Sequence, residues 1–254
     1  MDINDKTTVN GRIGEEGGIQ NRLMELSITE DELKNLRKQF FLSRESIARY
    51  KCAMLEVETK FRVLNERFAV SSEHNPIESI VTRLKSPESM IKKLYSRGLE
   101  ISLESAERNL QDIAGVKVIC SFVDDIYMLA DCLLSQDDVT LVRAKDYIRR
   151  PKPNGYRSLH LIIEVPIYLH DEKRRMKVEV QLRTIAMESW ANLEHKMRYK
   201  KDLSEELQNK ISSELNECAV LAERLDSKMQ TVKNEIIDST EGGWHTSPAA
   251  IFGE

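Results

Sequence analysis

Residues 143–160 read RAKDYIRRPKPNGYRSLH, and they bear on the fold and on the chemistry together. Six basic residues and one acid fall within these eighteen positions, in a chain whose formal net charge is −4. A local basic excess on an acidic background points to an anionic ligand rather than to a generally basic surface. Pro151, Pro153 and Gly155 make the centre a shaped loop. The segments on either side read as strands, one near 139–143 and one at 159–165. Tyr147, Tyr156 and His160 add rings that can stack on a base or donate to a phosphate. A loop with a fixed backbone, several cations and an aromatic ring suits a nucleotide polyphosphate.

Two further stretches read as strands, 116–120 and 176–182. In 176–183, Met176, Val178, Val180 and Leu182 point one way, and Lys177, Glu179, Gln181 and Arg183 the other. In 159–165, Leu159, Leu161, Ile163 and Val165 form the apolar side, with His160, Ile162 and Glu164 opposite. One side of the sheet therefore packs on helices and the other carries charge. Helices are expected over 125–134 and 185–199, and a short helical region over 77–98, ending at Gly98. Helices, then a mixed β-α-β-β-β block, then helices again give an α+β fold.

Residues 1–26 are polar and are expected to be disordered. A helical region over 27–74 starts at Ser27 or Thr29, where Thr29-x-x-Glu32 resembles a capping box. Its positions Leu33, Leu36, Phe40, Ser43, Ile47, Tyr50, Met54, Val57, Phe61, Leu64 and Phe68 alternate by three and four. That is a long amphipathic helix, or two in series, with a seam for a partner helix. The C-terminal helix, 201–237, repeats the pattern through Ile211, Leu215, Cys218, Ala222, Leu225, Met229, Val232 and Ile236. It is expected to pack within the subunit, and the two terminal helical regions are expected also to build a homo-oligomer interface. A flexible tail, 238–254, follows.

Several classes are excluded. No apolar run approaches the eighteen or so residues that cross a bilayer, and the N-terminus lacks the apolar core of a signal peptide. Four separated cysteines without CxxC spacing point to a reducing cytoplasm. There is no GxxxxGK[ST] loop, no GxGxxG and no HExxH. A triphosphate must therefore be held by Arg and Lys side chains, and a zinc hydrolase has little support. Arg83, Lys85, Ser89 and Lys93 form a second basic group, with the last three at i, i+4, i+8 on one expected helical face. Asp112 and Glu179, each at or in a strand, are the candidate ligands for Mg²⁺, a hard cation that takes one or two carboxylates plus phosphate oxygens.

These residues resemble a specific family. TRLKSPESMIKKL (82–94), DIAGVKVICSF (112–122), RAKDYIRRPKPNGYRSLH (143–160), VEVQLRTIAMESWANLEHK (178–196) and the following RYK are similar, in this order, to the synthetase domain of RelA/SpoT homologues. The stand-alone small alarmone synthetases are the nearest in kind, and the likeness covers about residues 75–200. The resemblance implies a nucleotidyltransferase-like core that transfers pyrophosphate from ATP to the 3′ oxygen of GDP or GTP and releases AMP. It implies that Arg83, Lys85, Ser89, Lys93 and Arg143 bind ATP, and that Lys145 and Lys152 contact phosphates. Tyr156 would stack on the guanine, Asn154 and the Ala191 backbone would read its edge, His160 would face phosphate, and Gln181 would help place the acceptor. Asp112 and Glu179 would hold Mg²⁺, with Glu179 also orienting or deprotonating the 3′ hydroxyl. The Arg143-x-Lys145-Asp146 form of the motif goes with a single Mg²⁺ in this family. The flanking helices resemble those of tetramer-forming members. The His-Asp hydrolase cluster of the long members has no counterpart before Arg83, so synthesis without hydrolysis is expected.

Two rival readings keep these residues. In one, the acceptor is the 3′ end of tRNA, which calls for a basic track that the mixed-charge flanks do not offer. In the other, the chain is a non-catalytic regulator binding nucleotide or RNA, which would have no use for Asp112, Glu179 and Tyr156 together. Single-stranded RNA is a partner that nothing in the sequence supports, and no membrane partner is expected.

Overall fold

The computed structural model describes residues 44–71, 74–198 and 204–239. The expected disorder of 1–26, the helix start near 27–29 with its seam to Ser43, the RYK end and the tail beyond 239 lie outside the described residues. The elements are α1 (Arg44–Ser71), β1 (Ile77–Leu84), α2 (Pro87–Ser96), α3 (Leu103–Asn109), β2 (Ala114–Cys120), α4 (Val123–Leu134), β3 (Thr140–Asp146), β4 (Leu159–Tyr168), β5 (Lys173–Thr184), α5 (Ile185–Arg198) and α6 (Glu205–Ser239). Two compact units divide them, one holding Ser86–Leu110 and the other Glu45–Lys85 with the chain from Gln111 onward.

In the smaller unit, Ser86 caps α2 through the Ser89 amide, with Pro87 in the first turn, and Ser102 caps α3 through the Ser105 amide. These side-chain oxygens satisfy donors that have no partner inside the helix. Met90, Ile91 and Leu94 form the buried face of α2.

The larger unit is built on a five-stranded sheet in the order β1-β2-β5-β4-β3. Only the β2–β5 pair is parallel; the others are antiparallel. The alternation of 159–165 and 176–183 holds. Leu159, Leu161, Ile163, Val165, Met176, Val178, Val180 and Leu182 are buried, and so are Ile126, Leu129, Ala130 and Leu133 of α4, the helix packed against β2 and β5. In α1 the seam is buried at Tyr50, Met54, Val57 and Phe61. Its two ends are tied down by Arg49 to Glu172 at 2.6 Å and Lys60 to Asp138 at 2.6 Å.

Three expectations change. Residues 77–84 form an edge strand and not the start of a helix; every residue from Ser79 to Leu84 pairs with β2, and its mostly exposed side chains left no period-2 signal. Lys85 consequently lies outside α2, so Lys85, Ser89 and Lys93 do not share a helical face. In α6 the inward face takes Leu215 from the apolar seam but turns away from the seam beyond it. Leu215, Ala219 and Asp226 are buried there, whereas Leu225, Met229, Val232 and Ile236 of the seam, with Leu221, are 47–61% exposed. The inward face is held by polar contacts: Asp226 to Arg157 and Thr184, Gln230 to Asp124 at 2.6 Å, and Lys233 to Asp125 at 2.9 Å. All four cysteines are unbridged; Cys120 is buried and Cys218 exposed.

Candidate nucleotide site

The strand register assembles the site as two rows across the polar face of the sheet. Arg83 pairs with Gly115, Gly115 with Glu179, Glu179 with Ile162, and Ile162 with Arg143. The two arginines thus stand on opposite edge strands, about 19 Å apart at the backbone for four strand spacings, with Glu179 on the central strand between them. In the next row, Val81, Lys117, Gln181, His160 and Lys145 are paired in turn. Directly beside Glu179, Gly115 has no side chain, which keeps that flank of the carboxylate low. Asp112 precedes β2 and accepts a hydrogen bond from the Lys85 ammonium at 3.0 Å. The Lys85 amide bonds to the Ile113 carbonyl at 2.8 Å, which extends the β1–β2 ladder to this pair.

The loop after β3 is shaped by its own residues. Asp146 accepts from the amides of Ile148 and Arg149 and from the Tyr127 hydroxyl, which closes the loop's entrance. At the far end the Gly155 amide donates to the Lys152 carbonyl at 2.8 Å across Pro153 and Asn154. Gly155 has φ +83°, a conformation that L side chains rarely adopt. Asn154 donates to Glu194 of α5 at 3.2 Å. Lys152 places its ammonium 4.7 Å from the Tyr147 ring centre and 4.5 Å from that of Tyr156.

Five side chains then close a ring of hydrogen bonds. Arg183 donates to the Tyr156 hydroxyl oxygen and, at 2.9 Å, to Gln181. The Tyr156 hydroxyl lies 2.7 Å from His160 Nε2, and His160 Nδ1 lies 3.2 Å from Glu179. Gln181 donates to the other Glu179 oxygen at 2.8 Å. Burial pushes the Tyr156 phenol up despite Arg183, so it stays protonated. Its oxygen already accepts from Arg183, so its proton goes to Nε2 and leaves the Nδ1 proton for Glu179. Burial alone would raise the Glu179 carboxyl, but the hydrogen bonds from His160 and Gln181 outweigh it and hold the group below its ordinary value; the Asp112 charge pushes back upward. Glu188 of α5 bonds both Lys117 and Arg183 and is likewise lowered by these contacts in spite of burial.

Asp112, Glu179, Lys85, Arg83, Arg143, Lys145, Lys152, Asn154, Tyr156, His160 and Gln181 all belong to the larger unit. Ser89 and Lys93 belong to α2 of the smaller one. Ala191 lies inside α5, where its amide serves the helix ladder. Arg183 and Glu188 were not singled out in the sequence; the alternation of β5 put Arg183 on the right face, but nothing marked it as buried. Among the described residues no group of three or more His, Cys, Asp or Glu could hold a metal, and no helix is long and apolar enough to cross a membrane. Asp112 and Glu179 nevertheless fit a single hard cation. They are two oxygen donors whose charges oppose each other, which is the donor set magnesium accepts alongside phosphate and water.

Residues 82–204 match the family described as a region found in RelA / SpoT proteins. The chain is 42% identical over 214 residues to the Bacillus subtilis GTP pyrophosphokinase YwaC, covering 84% of this chain and all of that protein. It is 34% identical over 187 residues to the Bacillus subtilis GTP pyrophosphokinase YjbM, covering 74% of this chain and 86% of that one. Among solved structures, it is similar to small alarmone synthetase 2 of Bacillus subtilis, with a TM-score of 0.67 at 43% identity, covering 76% of this chain and 98% of the other. It is similar also to Bacillus subtilis small alarmone synthetase 1 bound to its product pppGpp, with a TM-score of 0.68 at 32% identity, covering 76% and 96%.

Proposed function

The chain belongs to the RelA/SpoT family, and from that premise we propose that it is a GTP pyrophosphokinase, a small alarmone synthetase acting in the cytoplasm. It transfers pyrophosphate from ATP to the ribose 3′ oxygen of GDP or GTP. The observation that carries this reading is the position of Glu179, central on the polar face between Arg83 and Arg143 and joined through His160 to Tyr156.

The acceptor guanine stacks on Tyr156, whose ring also meets the Lys152 ammonium. Stacking tolerates any base, so the choice of guanine falls to edge contacts from Asn154 and the Ala191 backbone, while Gln181 helps to place the acceptor. His160, Lys145 and Lys152 face the acceptor phosphates. On the donor side Arg83, Lys85 and Arg143 take ATP, and by motif the assignment extends to Ser89 and Lys93 of α2. Clamping cations at the transferred group lower the barrier, because its oxygens gather negative charge.

Asp112 and Glu179 are the residues that would hold one Mg²⁺. When bound, such an ion screens phosphate oxygens and makes a coordinated hydroxyl more acidic. A carboxylate held below its ordinary pKa is a weak base, so Glu179 mainly orients the 3′ hydroxyl and takes its proton as the bond to phosphorus forms. The 3′ oxygen attacks the β-phosphorus of ATP, the bond from that phosphorus to the bridging oxygen breaks, and AMP leaves with that oxygen. The exposed stripe on α6 is read as a homo-oligomer interface, with a tetramer as the expected assembly.

The test is product formation from ATP, Mg²⁺ and GDP or GTP, resolved by anion exchange, with Glu179→Gln alongside. A species eluting beyond the guanine acceptor, with equimolar AMP and turnover at least about 100-fold lower in the variant, supports the reading. Folded protein that binds ATP and makes no product with either nucleotide overturns it and leaves tRNA as the acceptor to try.

A further inference from the structure

The C-terminal helix reaches the acceptor loop from behind. At Gly155 a Cβ would lie 2.4 Å from the Ala219 Cβ of α6 and 3.2 Å from Asn216 Oδ1, so helix and loop backbone meet with no room for a side chain. The Trp190 indole of α5 donates to the Leu215 carbonyl at 2.8 Å, fixing α5 and α6 together beside this contact. Asp226 lies about two helical turns beyond Ala219. Although buried, its Oδ2 accepts from Arg157 at 3.3 Å and from the Thr184 hydroxyl at 3.0 Å. Thr184 Oγ1 also accepts from the Met187 amide at 3.1 Å and so starts α5.

These two partners are each one residue beyond a member of the hydrogen-bonded ring. Arg157 follows Tyr156, and Thr184 follows Arg183. In β5, successive side chains point to opposite sides. Tyr156 and Arg183 meet each other on the site side, and Arg157 and Thr184 meet Asp226 on the other. One carboxylate of α6 therefore holds the backs of the two segments whose fronts present the stacking ring.

We propose that Asp226 is a positioning residue for the guanine subsite, through which the C-terminal helix sets the acceptor loop against β5. This rests on the synthetase reading given above. A carboxylate can take both bonds at once, and the bond to Arg157 is charge-assisted. Without Asp226 the loop keeps its own turn but loses its fixed distance from Arg183, so Tyr156 is no longer held where the base must stack. The ATP residues Arg83, Lys85 and Arg143 have no bond to α6 in this arrangement, so donor binding is left alone.

The experiment compares wild type with Asp226→Ala and the milder Asp226→Asn in the full chain. It reads KM for GDP, KM for ATP, kcat, the thermal midpoint, and GDP affinity by calorimetry without ATP. The expected result for Asp226→Ala is a rise of about tenfold in both KM and Kd for GDP. The ATP KM should stay within twofold, and kcat at saturating GDP should be largely kept. Asp226→Asn keeps one acceptor oxygen without the charge and should fall between. If Asp226→Ala does not fold, the Asn variant carries the test through the same split. Equal losses for both substrates, or a drop in kcat alone that follows the thermal midpoint, would overturn the proposal by making Asp226 merely structural. Wild type that neither binds GDP nor pyrophosphorylates it would instead remove the synthetase reading beneath it.

Discussion

Tyr156 and Glu179 are joined through one imidazole: the tyrosine hydroxyl lies 2.7 Å from His160 Nε2, and His160 Nδ1 lies 3.2 Å from the glutamate. The return path runs through Arg183 and Gln181. The residue assigned to hold the acceptor base and the residue assigned to act on its ribose are thus parts of one network. On that assignment, placement of the base and orientation of the carboxylate are coupled through these bonds.

Stacking and coupling at Tyr156 can be separated. Tyr156→Ala removes both and should raise the GDP KM about 5- to 150-fold, for a base–aromatic contact of about 1–3 kcal/mol. Tyr156→Phe keeps the ring and deletes only the hydroxyl bonds. Its KM should stay within about threefold while kcat falls, because His160 and Arg183 lose their common partner. Steady-state kinetics with varied GDP would decide; equal KM values in the two variants would remove the stacking assignment.

The Glu179 carboxyl is held below its ordinary value of 4.5, against burial and the Asp112 charge, chiefly by His160 and Gln181. A carboxyl depressed in the folded state adds stability that is present above that ordinary value and is lost as pH falls through the folded one. His160→Ala leaves burial and Asp112 unopposed on that side, so Glu179 should titrate higher than in wild type. Carbon NMR of glutamate-labelled protein reads this directly. A midpoint that is unchanged or lower in His160→Ala would refute the account of what holds the group ionised.

Asp112→Asn keeps an acceptor for Lys85 and removes one charge from the proposed cation site. The Mg²⁺ concentration giving half-maximal synthesis should rise about tenfold, and chelation should abolish activity in both proteins. The same substitution takes away the repulsion on Glu179, so its carboxyl should titrate lower still. An unchanged Mg²⁺ dependence would show that Asp112 is no ligand.

Much of the site was legible because strand alternation is strict. Glu179, Gln181 and His160 were placed on one face from period alone, and the loop was marked by Pro153 and Gly155. What was not legible depends on tertiary context. β1 is an edge strand exposed at most positions, so IESIVTRL carries no apolar alternation to betray it. Arg183 looks like any charged residue on a solvated face until Glu188 and Tyr156 cover it. Asp226 is one acid in a helix crowded with charge, and only its burial beside Arg157 and Thr184 distinguishes it. The α6 helix contains two series with the same spacing, one residue apart. Sequence favours the apolar one, whereas the subunit uses the polar one, through Asp226, Gln230 and Lys233, for its own packing.

That choice leaves the side chains of the apolar series largely exposed, and this is what makes the interface testable. Leu221, Leu225, Met229, Val232 and Ile236 recur at three and four, so they share one face of α6 over about 22 Å. Each is about half exposed in the single chain. A stripe of that kind, on a helix whose other face is already bonded, fits the seam of the proposed intermolecular helix pair. Leu225→Glu with Met229→Glu should reduce a tetramer to smaller species in light scattering coupled to gel filtration. The inward contacts of Asp226, Gln230 and Lys233 are untouched, so the far-ultraviolet circular dichroism of the subunit should be preserved. The melting point should fall, because association stabilises the folded state by mass action. A variant that remains a tetramer would move the interface away from this face of α6.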